Sequence, residues 1–141
     1  MRTAVDSSVL LDVLGADRRF GTSSRRALRD AFGSGALVAC EVVWAEVRAC
    51  FSSDEEFRRD VSLLGIRFDA ISREAAETAG TMWRASRRAA RGPRDRMVAD
   101  FLIGAHAHHQ ADALLTRDRG FYRACFKELR IIDPSDSPRA R

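Results

Sequence analysis

The sequence predicts an α/β fold, a three-layer α/β/α sandwich built on one mainly parallel central sheet. Short apolar runs of strand character alternate with segments whose apolar residues recur at helical spacing. The connections between them are short, and no internal repeat or low-complexity block interrupts the alternation. Strands that alternate with helices in this way typically form parallel sheets with helices on both faces. A chain of 141 residues is expected to hold one such domain.

Five apolar runs supply the predicted strands. ArgThrAlaVal stands near the N-terminus, and AlaLeuValAla follows the GlySerGly turn at 33–35. IleArgPhe, AlaLeuLeu and ArgIleIle supply the other three. In chain order the predicted strands cover 2–5, 36–39, 66–68, 113–115 and 130–132.

Segments of helical spacing fill the intervals between the strands. Gly15 is predicted to stop the first helix, and Ser72 is predicted to cap a long helix that ends before Gly92-Pro93. The predicted helices cover 7–14, about 23–32, 41–51, 52–64, 72–91, about 96–109 and 119–126. The polar residues 134–141 are expected to form a disordered tail.

Arginine dominates the basic residues of the chain. The formal net charge is +4, and Lys127 is the single lysine among 24 basic residues. A sequence pI near 9.6 favours a polyanionic partner, and nucleic acid is the natural candidate. Arginine also makes planar, bidentate contacts to phosphate.

The cysteines and the hydropathy pattern limit the compartment. Cys40, Cys50 and Cys125 show no CxxC spacing, so we expect buried, reduced thiols instead of a disulfide framework or a zinc ribbon. No apolar stretch approaches the roughly 20 residues that cross a bilayer. Asp6 interrupts the first apolar run and leaves no room for a secretory signal. The sequence therefore predicts a cytoplasmic protein that is not membrane-bound.

Four carboxylates lie in apolar surroundings at widely separated positions. Asp6 follows the first predicted strand, and Asp118 follows the fourth. Glu46 is expected on or beside the apolar face of its helix, and Asp100 opens the helix before the fourth strand. Ligands of parallel sheets bind beyond the carboxyl ends of the strands, so Asp6 and Asp118 should share one edge. A cluster of otherwise unpaired carboxylates predicts bound divalent cations, and Mg²⁺ or Mn²⁺ prefers such oxygen ligands.

Each acid also has a structural interpretation. Asp6 could cap the helix that follows it, and Asp118 could cap a turn. Glu46 could lie on a solvent face, and Asp100 could offset a helix dipole in the first turn, although Gly104 would leave its face small. Asp95 is expected to be the N-cap of the Asp100 helix and is the reserve candidate for the site.

With these four acids and the motifs around them, the chain resembles a known family, the PIN-domain ribonucleases of the small VapC type. Members of that family act as toxins in toxin–antitoxin pairs. The similarity covers residues 1–133 and leaves 134–141 as a tail. Its motifs are listed here in chain order: AlaValAspSerSerValLeuLeu around Asp6, AlaGluVal around Glu46, AspPheLeuIleGlyAlaHisAla from Asp100, and LeuLeuThrArgAspArgGlyPhe around Asp118.

The resemblance implies a Mg²⁺- or Mn²⁺-dependent endoribonuclease. Asp6, Glu46, Asp100 and Asp118 would serve as metal ligands, directly or through water, with Thr116 as a supporting hydroxyl. The implied reaction is hydrolysis of an RNA phosphodiester bond that leaves 5′-phosphate and 3′-hydroxyl ends. The implied partners are an RNA substrate, a small VapB-type antitoxin and a second copy of the chain in a homodimer.

The arginine-rich segment 84–96 precedes the Asp100 helix. About half of its six arginines are expected to be solvated on the helix end. Arg91, Arg94 and Arg96 are predicted to flank the substrate channel and hold RNA phosphates.

The remaining polar candidates are interpreted as structural. Asp12 and Asp112 are expected to be solvated. Three histidines stand near the end of the Asp100 helix, where polar or cationic residues suit the dipole, and they are not expected to bind metal. They are His106, His108 and His109.

Other functions fit the sequence less well. A haloacid-dehalogenase-type phosphatase or a signalling receiver domain also follows its first strand with an acid. Both classes, however, need a second Asp where this chain has Ser8. Both also use a lysine after a later strand, whereas the only lysine, Lys127, falls in a late predicted helix. A flap-type DNA nuclease carries longer insertions. The alternative that stays open is a PIN-like module that binds RNA or protein without cutting.

Overall fold

Five parallel strands form the central sheet of the computed structural model, which describes residues 1–88 and 97–136. The sheet order is β3-β2-β1-β4-β5, so the first strand lies in the middle. All five strands have the predicted bounds. They are β1 (Arg2–Val5), β2 (Ala36–Ala39), β3 (Ile66–Phe68), β4 (Ala113–Leu115) and β5 (Arg130–Ile132).

The register brings the carboxyl ends of β1 and its two neighbours, β2 and β4, to one edge of the sheet. Ala4 of β1 is aligned with Val38 of β2 on one side and with Leu114 of β4 on the other. All four strand pairs are parallel, so residues that follow β1, β2 and β4 emerge at the same edge. The sequence predicted that Asp6 and Asp118 lie at this edge.

Seven α-helices in the described residues flank the sheet and complete the predicted α/β/α arrangement. They are α1 (Ser7–Leu14), α2 (Gly21–Ser34), α3 (Glu41–Arg48), α4 (Asp54–Leu63), α5 (Arg73–Arg88), α6 (Val98–Gln110) and α7 (Arg119–Cys125). Helix α2 is longer than predicted at both ends, and α3 ends three residues earlier. The predicted end of the long helix at Arg91 lies outside the described residues.

Local sequence explains where several helices begin. Ser53 caps α4, since its hydroxyl accepts a hydrogen bond from the Glu56 N–H at 3.2 Å. Ser72 performs the predicted capping role for α5 by accepting from the Ala75 N–H at 3.1 Å. Gly65 joins α4 to β3 at a φ of 73°, a conformation that favours glycine, and a Cβ there would meet the ring of Phe32.

The core lies between the sheet and the helices that cover it. The buried residues of the central strands contact buried apolar residues of α1, α3 and α6 in one continuous cluster. Its largest fully buried members include Leu10, Leu37, Val43, Phe101 and Leu114. This packing fixes the start of α1 and the end of β4, the two segments that hold most of the candidate site.

The segment after β5 differs from the expectation of a disordered tail. Pro134–Asp136 form a short 3-10 helix, and Pro134 is buried. Asp133 explains the turn, because its Oδ1 accepts hydrogen bonds from both the N–H and the hydroxyl of Ser135, at 2.8 and 2.7 Å. Residues 137–141 lie outside the described part of the chain, and the domain boundary at residue 133 stays a prediction.

The cysteines follow the prediction in part. All three are free, as expected. Cys40 is buried at the end of β2, whereas Cys50 is exposed and Cys125 is half-buried. The expectation of buried thiols was therefore wrong for Cys50, because it lies just beyond the end of α3 on a solvent-facing turn.

The helices are too short or too polar to span a membrane. Within residues 1–88 and 97–136, none combines the length and the apolar character that a bilayer crossing needs.

Candidate active site

Asp6 stands at the junction of β1 and α1 and is 6% exposed. Its backbone N–H donates to the Leu115 carbonyl at 2.9 Å, which extends the β1–β4 pairing to this residue. It occupies the N-cap position of α1, yet its side chain makes no capping hydrogen bond. The structural interpretation of Asp6 as a cap is therefore not supported, and its carboxylate is available for another role.

Hydroxyl groups surround the Asp6 carboxylate. Oδ2 accepts from Thr116 Oγ1 at 2.7 Å and from Ser8 Oγ at 3.2 Å, and Oδ1 accepts from Ser7 Oγ at 3.4 Å. Burial raises the pKa of Asp6 above its ordinary value, although these hydrogen bonds oppose the shift, and the nearby Asp118 raises it further. Neutral donors stabilise the charge here only in part, so a cation at this position would relieve a real electrostatic cost.

Thr116 links two of the predicted site residues. It is fully buried, and its Oγ1 both donates to Asp6 and accepts from the Asp118 N–H at 3.0 Å. Asp118 is half-buried at the N-cap position of α7, where its side chain makes no capping bond. The predicted shared edge for Asp6 and Asp118 is thus observed, with Thr116 between them.

Glu46 approaches the same site from α3. Ser7 Oγ donates to its Oε1 at 3.3 Å, so Ser7 contacts both Glu46 and Asp6. Partial withdrawal from water raises the pKa of Glu46, and the neighbouring charges of Asp6 and Asp100 add to the shift. The residue is nevertheless exposed, whereas Val43 and Val47 carry the buried face of α3. Glu46 lies beside the apolar face and not on it.

Asp100 lies half-buried in the first turn of α6, and its N–H donates to the Met97 carbonyl at 3.1 Å. Its charge contributes to the raised pKa of Glu46, so the two carboxylates are near each other. Gly104, one turn later, leaves the face of Asp100 small, as expected, and a Cβ there would collide with the Phe126 ring.

The structure therefore brings the four predicted acids to one edge through short contacts and mutual charge effects. Four other predicted residues fall outside the described residues: Arg91, Arg94, Arg96 and the reserve acid Asp95. The prediction that Asp95 is the N-cap of the Asp100 helix was wrong, because α6 begins at Val98 and Met97 holds its N-cap position.

The donor set fits a hard divalent cation, with water needed to complete the ligands. No group of three or more His, Cys, Asp or Glu side chains in residues 1–88 and 97–136 stands close enough to hold a metal unaided. Mg²⁺ commonly keeps several waters and uses only one or two carboxylates, so such a looser arrangement suits it. All the nearby side-chain donors are oxygens, from Asp, Glu, Ser and Thr, which matches Mg²⁺ or Mn²⁺ better than softer metals.

Sequence reasoning missed the role of the serines after Asp6. Ser7 and Ser8 both direct their hydroxyls at the Asp6 carboxylate. Their position directly after a buried strand and an acid could have indicated this, because short polar side chains at a helix start commonly bond nearby acceptors.

Asp12 was expected to be solvated, and that expectation was wrong. The residue is 3% exposed and forms an ion pair with Arg117. Its position beside the buried Val9 and Val13 on α1 was a signal of burial. Its partner lies far along the chain, which no local pattern indicates.

The other residues predicted to be structural have the following contacts. His106 is 1% exposed, and its Nε2 lies 2.8 Å from Asp69 Oδ2. His109 Nε2 lies 2.8 Å from Thr78 Oγ1, and its ring meets that of His108 edge to face. Asp112 is exposed as predicted, and its Oδ2 accepts from the Arg2 N–H at 2.7 Å.

The fold and the acid-lined edge define a PIN domain. The family model for the PIN domain matches residues 3–127, and the chain belongs to this family. A sequence search of curated proteins found no match.

Several solved structures of toxin–antitoxin proteins have a similar fold. VapBC2 from Rickettsia felis, bound to a promoter DNA fragment, has a TM-score of 0.70 at 14% identity, over 94% of this chain and 98% of that chain. VapBC-1 from nontypeable Haemophilus influenzae has a TM-score of 0.69 at 16% identity, over 96% and 100%. Mycobacterium tuberculosis VapC20, a toxin that cleaves the sarcin–ricin loop, has a TM-score of 0.62 at 16% identity, over 91% and 98%. At these identities the likeness establishes the fold.

Proposed function

We propose that this chain is a Mg²⁺- or Mn²⁺-dependent endoribonuclease and the toxin of a toxin–antitoxin pair. The observation that carries the proposal is the buried Asp6 carboxylate, whose pKa is raised by burial and by Asp118 and whose described partners are hydroxyls. Three further acids surround this point. Membership of the PIN family and likeness to toxin structures give the site its reaction class.

Each residue has a role in this proposal. Asp6 is the central ligand, and Thr116 holds its Oδ2 in place through the 2.7 Å hydrogen bond. Asp118 supplies a second carboxylate, fixed through its N–H to the same hydroxyl. Glu46, whose pKa is raised by the charges of Asp6 and Asp100, and Asp100 itself would contact the ion directly or through water.

A bound divalent ion would supply activation of the hydrolytic water and neutralisation of the charge that develops on the phosphate. The chain's own contribution is to hold four carboxylates together against their mutual repulsion. Asp6 is withdrawn from water, so its interaction with a cation is stronger than at an exposed site.

The test is cleavage of RNA by purified protein with Mg²⁺, with Mn²⁺ and with chelator. Asp6→Asn keeps the size of the side chain and removes the charge, and we expect it to lower cleavage by on the order of 1,000-fold. Asp30→Asn is the matched control, because Asp30 is an exposed aspartate on α2. Cleavage that persists in chelator, or full activity of Asp6→Asn, would exclude the mechanism.

The described end of α5 is the proposed RNA-binding surface. Arg84, Arg87 and Arg88 are exposed there, and the Arg87 guanidinium lies 5.2 Å from the centroid of the Trp83 ring. Within residues 1–88 and 97–136, none of the three arginines forms an ion pair with an acid. The surface is therefore a cationic patch with a neighbouring aromatic ring, a combination that suits single-stranded RNA.

Helix packing places this patch toward the acids. The Ser72 N–H, just before α5, donates to Oε1 of Gln110, the last residue of α6, at 2.8 Å. Thr78, six residues further along the chain, meets His109, so the helices run antiparallel and the end of α5 points toward the start of α6. Asp100 lies at that start. Arginines at this end of α5 are suitably placed to hold an RNA backbone beside the carboxylates.

A pair of double charge reversals tests this surface. Arg87→Glu/Arg88→Glu should weaken RNA binding and lower the slope of log Kd against log salt by about 1 to 2, since each lost phosphate contact contributes roughly 0.7 for single strands. Arg58→Glu/Arg59→Glu on α4 makes the same charge change at exposed arginines elsewhere. Both are measured in the Asp6→Asn background, which prevents cleavage. Equal effects of the two pairs would leave only general charge attraction.

The same reasoning applies to the predicted contacts of Arg91, Arg94 and Arg96, which remain part of the proposal. Charge reversal of all three should weaken binding and reduce its salt dependence further.

An apolar groove between α2 and α4 is the proposed contact for the antitoxin. It encloses about 400 Å³, and Phe32 and Leu63 on its walls are 58% and 80% exposed. Arg25 and Arg29 stand at its rim. The groove therefore suits an amphipathic segment with acidic flanks, and the similar VapBC structures contain such toxins together with antitoxins.

Growth assays test the toxin role. Expression of the wild-type chain in bacteria should arrest growth, whereas Asp6→Asn should not. A short reading frame that overlaps the upstream end of the gene would be the candidate antitoxin. Leu63→Asp should keep its toxicity but escape neutralisation by that product. A wild-type chain without effect on growth would favour a solitary ribonuclease.

The proposed homodimer is tested by light scattering of the purified chain after gel filtration. A mass near twice the monomer mass of 15.7 kDa supports it, and a monomer contradicts it.

The alternative function is a non-catalytic PIN-like module that binds RNA or protein. The two functions separate in the same assay, because a binding module would retain RNA affinity and show no cleavage with either metal.

A further inference from the structure

A partly buried ion pair joins α1 to the connection between β4 and α7. Arg117 Nε donates to Asp12 Oδ2 at 2.7 Å, and Arg117 Nη2 donates to Oδ1 at 3.0 Å. Ser24 of α2 adds a hydrogen bond to Oδ2 at 2.8 Å. The Asp12 carboxylate is thus fully satisfied by a two-pronged arginine contact and a hydroxyl, inside a site that is almost closed to water.

The guanidinium is also held by an aromatic ring. Its carbon lies 4.0 Å from the centroid of the Phe20 ring, and the Arg117 side chain is 33% exposed. The backbone of Phe20 is itself held, because its N–H donates to Asp17 Oδ1 at 2.8 Å. A planar group with contacts both in its plane and against its face has little freedom to rotate.

The position of Arg117 in the chain gives this pair its significance. It stands between Thr116, which donates to Asp6, and Asp118, whose N–H donates back to Thr116. Asp12 lies on the helix that starts directly after Asp6. The same two segments are therefore joined twice, once by Thr116 and Asp6 and once by Arg117 and Asp12.

We propose that Arg117 and Asp12 are positioning residues, which hold the β4–α7 connection against α1 so that Thr116 and Asp118 stay at Asp6. Neither residue would touch substrate or metal. The cleavage part of this inference rests on the proposed function, whereas the positional part concerns the fold alone. Among the described side chains, the pair adds a second link between these segments beside the hydrogen bond from Thr116 to Asp6.

Lysine cannot replace arginine in this role. A lysine ammonium carries the same charge but is a point donor, and it cannot make the two-pronged contact while a planar group rests against Phe20. Arg117→Lys therefore keeps charge balance while loosening the connection. Asp12→Asn/Arg117→Met removes both charges together, so that neither is left buried alone.

Amide hydrogen exchange and kinetics test the proposal together. In both variants we expect the Asp118 amide to exchange about tenfold faster, after correction for global stability, because the loop opens more often. We expect kcat to fall on the order of 10- to 100-fold with KM little changed, since the acids are misplaced and the RNA surface is intact. Arg2→Lys is the matched control, because Arg2 pairs with Asp69 at 2.8 Å from the opposite end of β1.

The outcomes separate a positioning role from a purely structural one. Unchanged exchange at Asp118 in both variants would overturn the proposal, whatever the melting temperature does. Equal effects in Arg2→Lys would overturn it too, because they would reflect general loss of stability. If the wild-type chain cleaves no RNA, the proposed function fails, and the exchange comparison still decides whether Arg117 holds the loop.

Discussion

Two buried aspartates of the same segment differ in how their charge is balanced. Asp12 is 3% exposed and has Arg117 as a two-pronged partner. Asp6 is 6% exposed, and in the described residues its side-chain partners are hydroxyls, with no cation among them. Burial is similar in the two cases, so it does not distinguish a structural acid from a functional one. The identity of the partners does.

The contrast explains why one acid stabilises the fold and the other strains it. A carboxylate with its own arginine is neutralised inside the protein, and the pair contributes to holding α1, α2 and the β4–α7 connection together. Asp6 has acids nearby instead, and its pKa is raised first by burial and further by Asp118. We infer that the fold tolerates the electrostatic cost of burying Asp6 because a bound cation removes that cost.

The largest expected effect comes from unbalancing the satisfied acid. Arg117→Met leaves Asp12 buried without a cation and should lower the free energy of unfolding by about 3 kcal/mol, the lower end of the usual range because Arg117 is partly exposed. Chemical denaturation measures the change. Arg2→Met is the comparison, because its pair with Asp69 is more open to water and should lose roughly 1 kcal/mol or less. Similar losses of stability in the two variants would show that the Asp12 pair is no more important than the more exposed Asp69 pair.

The fold was predictable because its signals are local. Each strand is a short apolar run bounded by turn residues, and the five observed strands have the predicted bounds. Once the strands were known, parallel order placed Asp6 and Asp118 at one edge without further information. Errors arose at helix ends such as α3, where side-chain packing, and not periodicity, decides the last turn.

The balance of charge around the acids was not predictable from the sequence. Asp12 meets Arg117 only because α1 and the β4–α7 connection pack together in three dimensions. With 24 basic residues in the chain, nothing local singles out Arg117 as the partner. The resemblance to the PIN family identified the four candidate acids, since its motifs include them, but it gave no information about Asp12.

A third acid tests whether partners also set the pH dependence. Burial raises the pKa of Asp69, but hydrogen bonds from His106 and Arg2 outweigh it and lower the pKa below 3.8. A lowered pKa gives stability that is fully present above 3.8 and is lost as the pH falls through the lowered value. Asp69→Asn should therefore be about 1–2 kcal/mol less stable near neutral pH, the size of a hydrogen bond to a charged group.

Denaturation at a series of pH values checks this expectation. The difference between the wild type and Asp69→Asn should shrink only below pH 3.8. Asp30→Asn, at an exposed position, should show no such difference at any pH. A difference that stays constant in acid would mean that size or packing, and not charge, makes Asp69 important.

Neutralising Asp6 should change stability in the opposite direction from neutralising Asp69. Because its pKa is raised, the folded state binds the proton more tightly, and the ionised acid reduces stability above 3.8. In chelator at neutral pH, Asp6→Asn should gain on the order of 1 kcal/mol, while cleavage is lost. This gain in stability should disappear as the pH falls toward 3.8. Added Mn²⁺ should reduce the difference in stability between the two proteins, because it stabilises only the wild type. Thermal melts with and without Mn²⁺ measure both effects. A less stable Asp6→Asn would show that the hydroxyls alone balance the charge.

Glu46 should give the smallest effect of the series and define the outer limit of the site. It is exposed and has one long hydrogen bond, from Ser7 at 3.3 Å, so Glu46→Gln should change stability by less than about 0.5 kcal/mol. Its charge still acts beside Asp6 and Asp100, so affinity for Mn²⁺ should fall by roughly 3- to 10-fold, against a far larger loss in Asp6→Asn. Glu55→Gln, an exposed acid in the first turn of α4, is the control. If Glu46→Gln and Glu55→Gln bind Mn²⁺ equally well, Glu46 lies outside the metal site, and the contrast of balanced and unbalanced acids is confined to the segments that carry Asp6, Asp100 and Asp118.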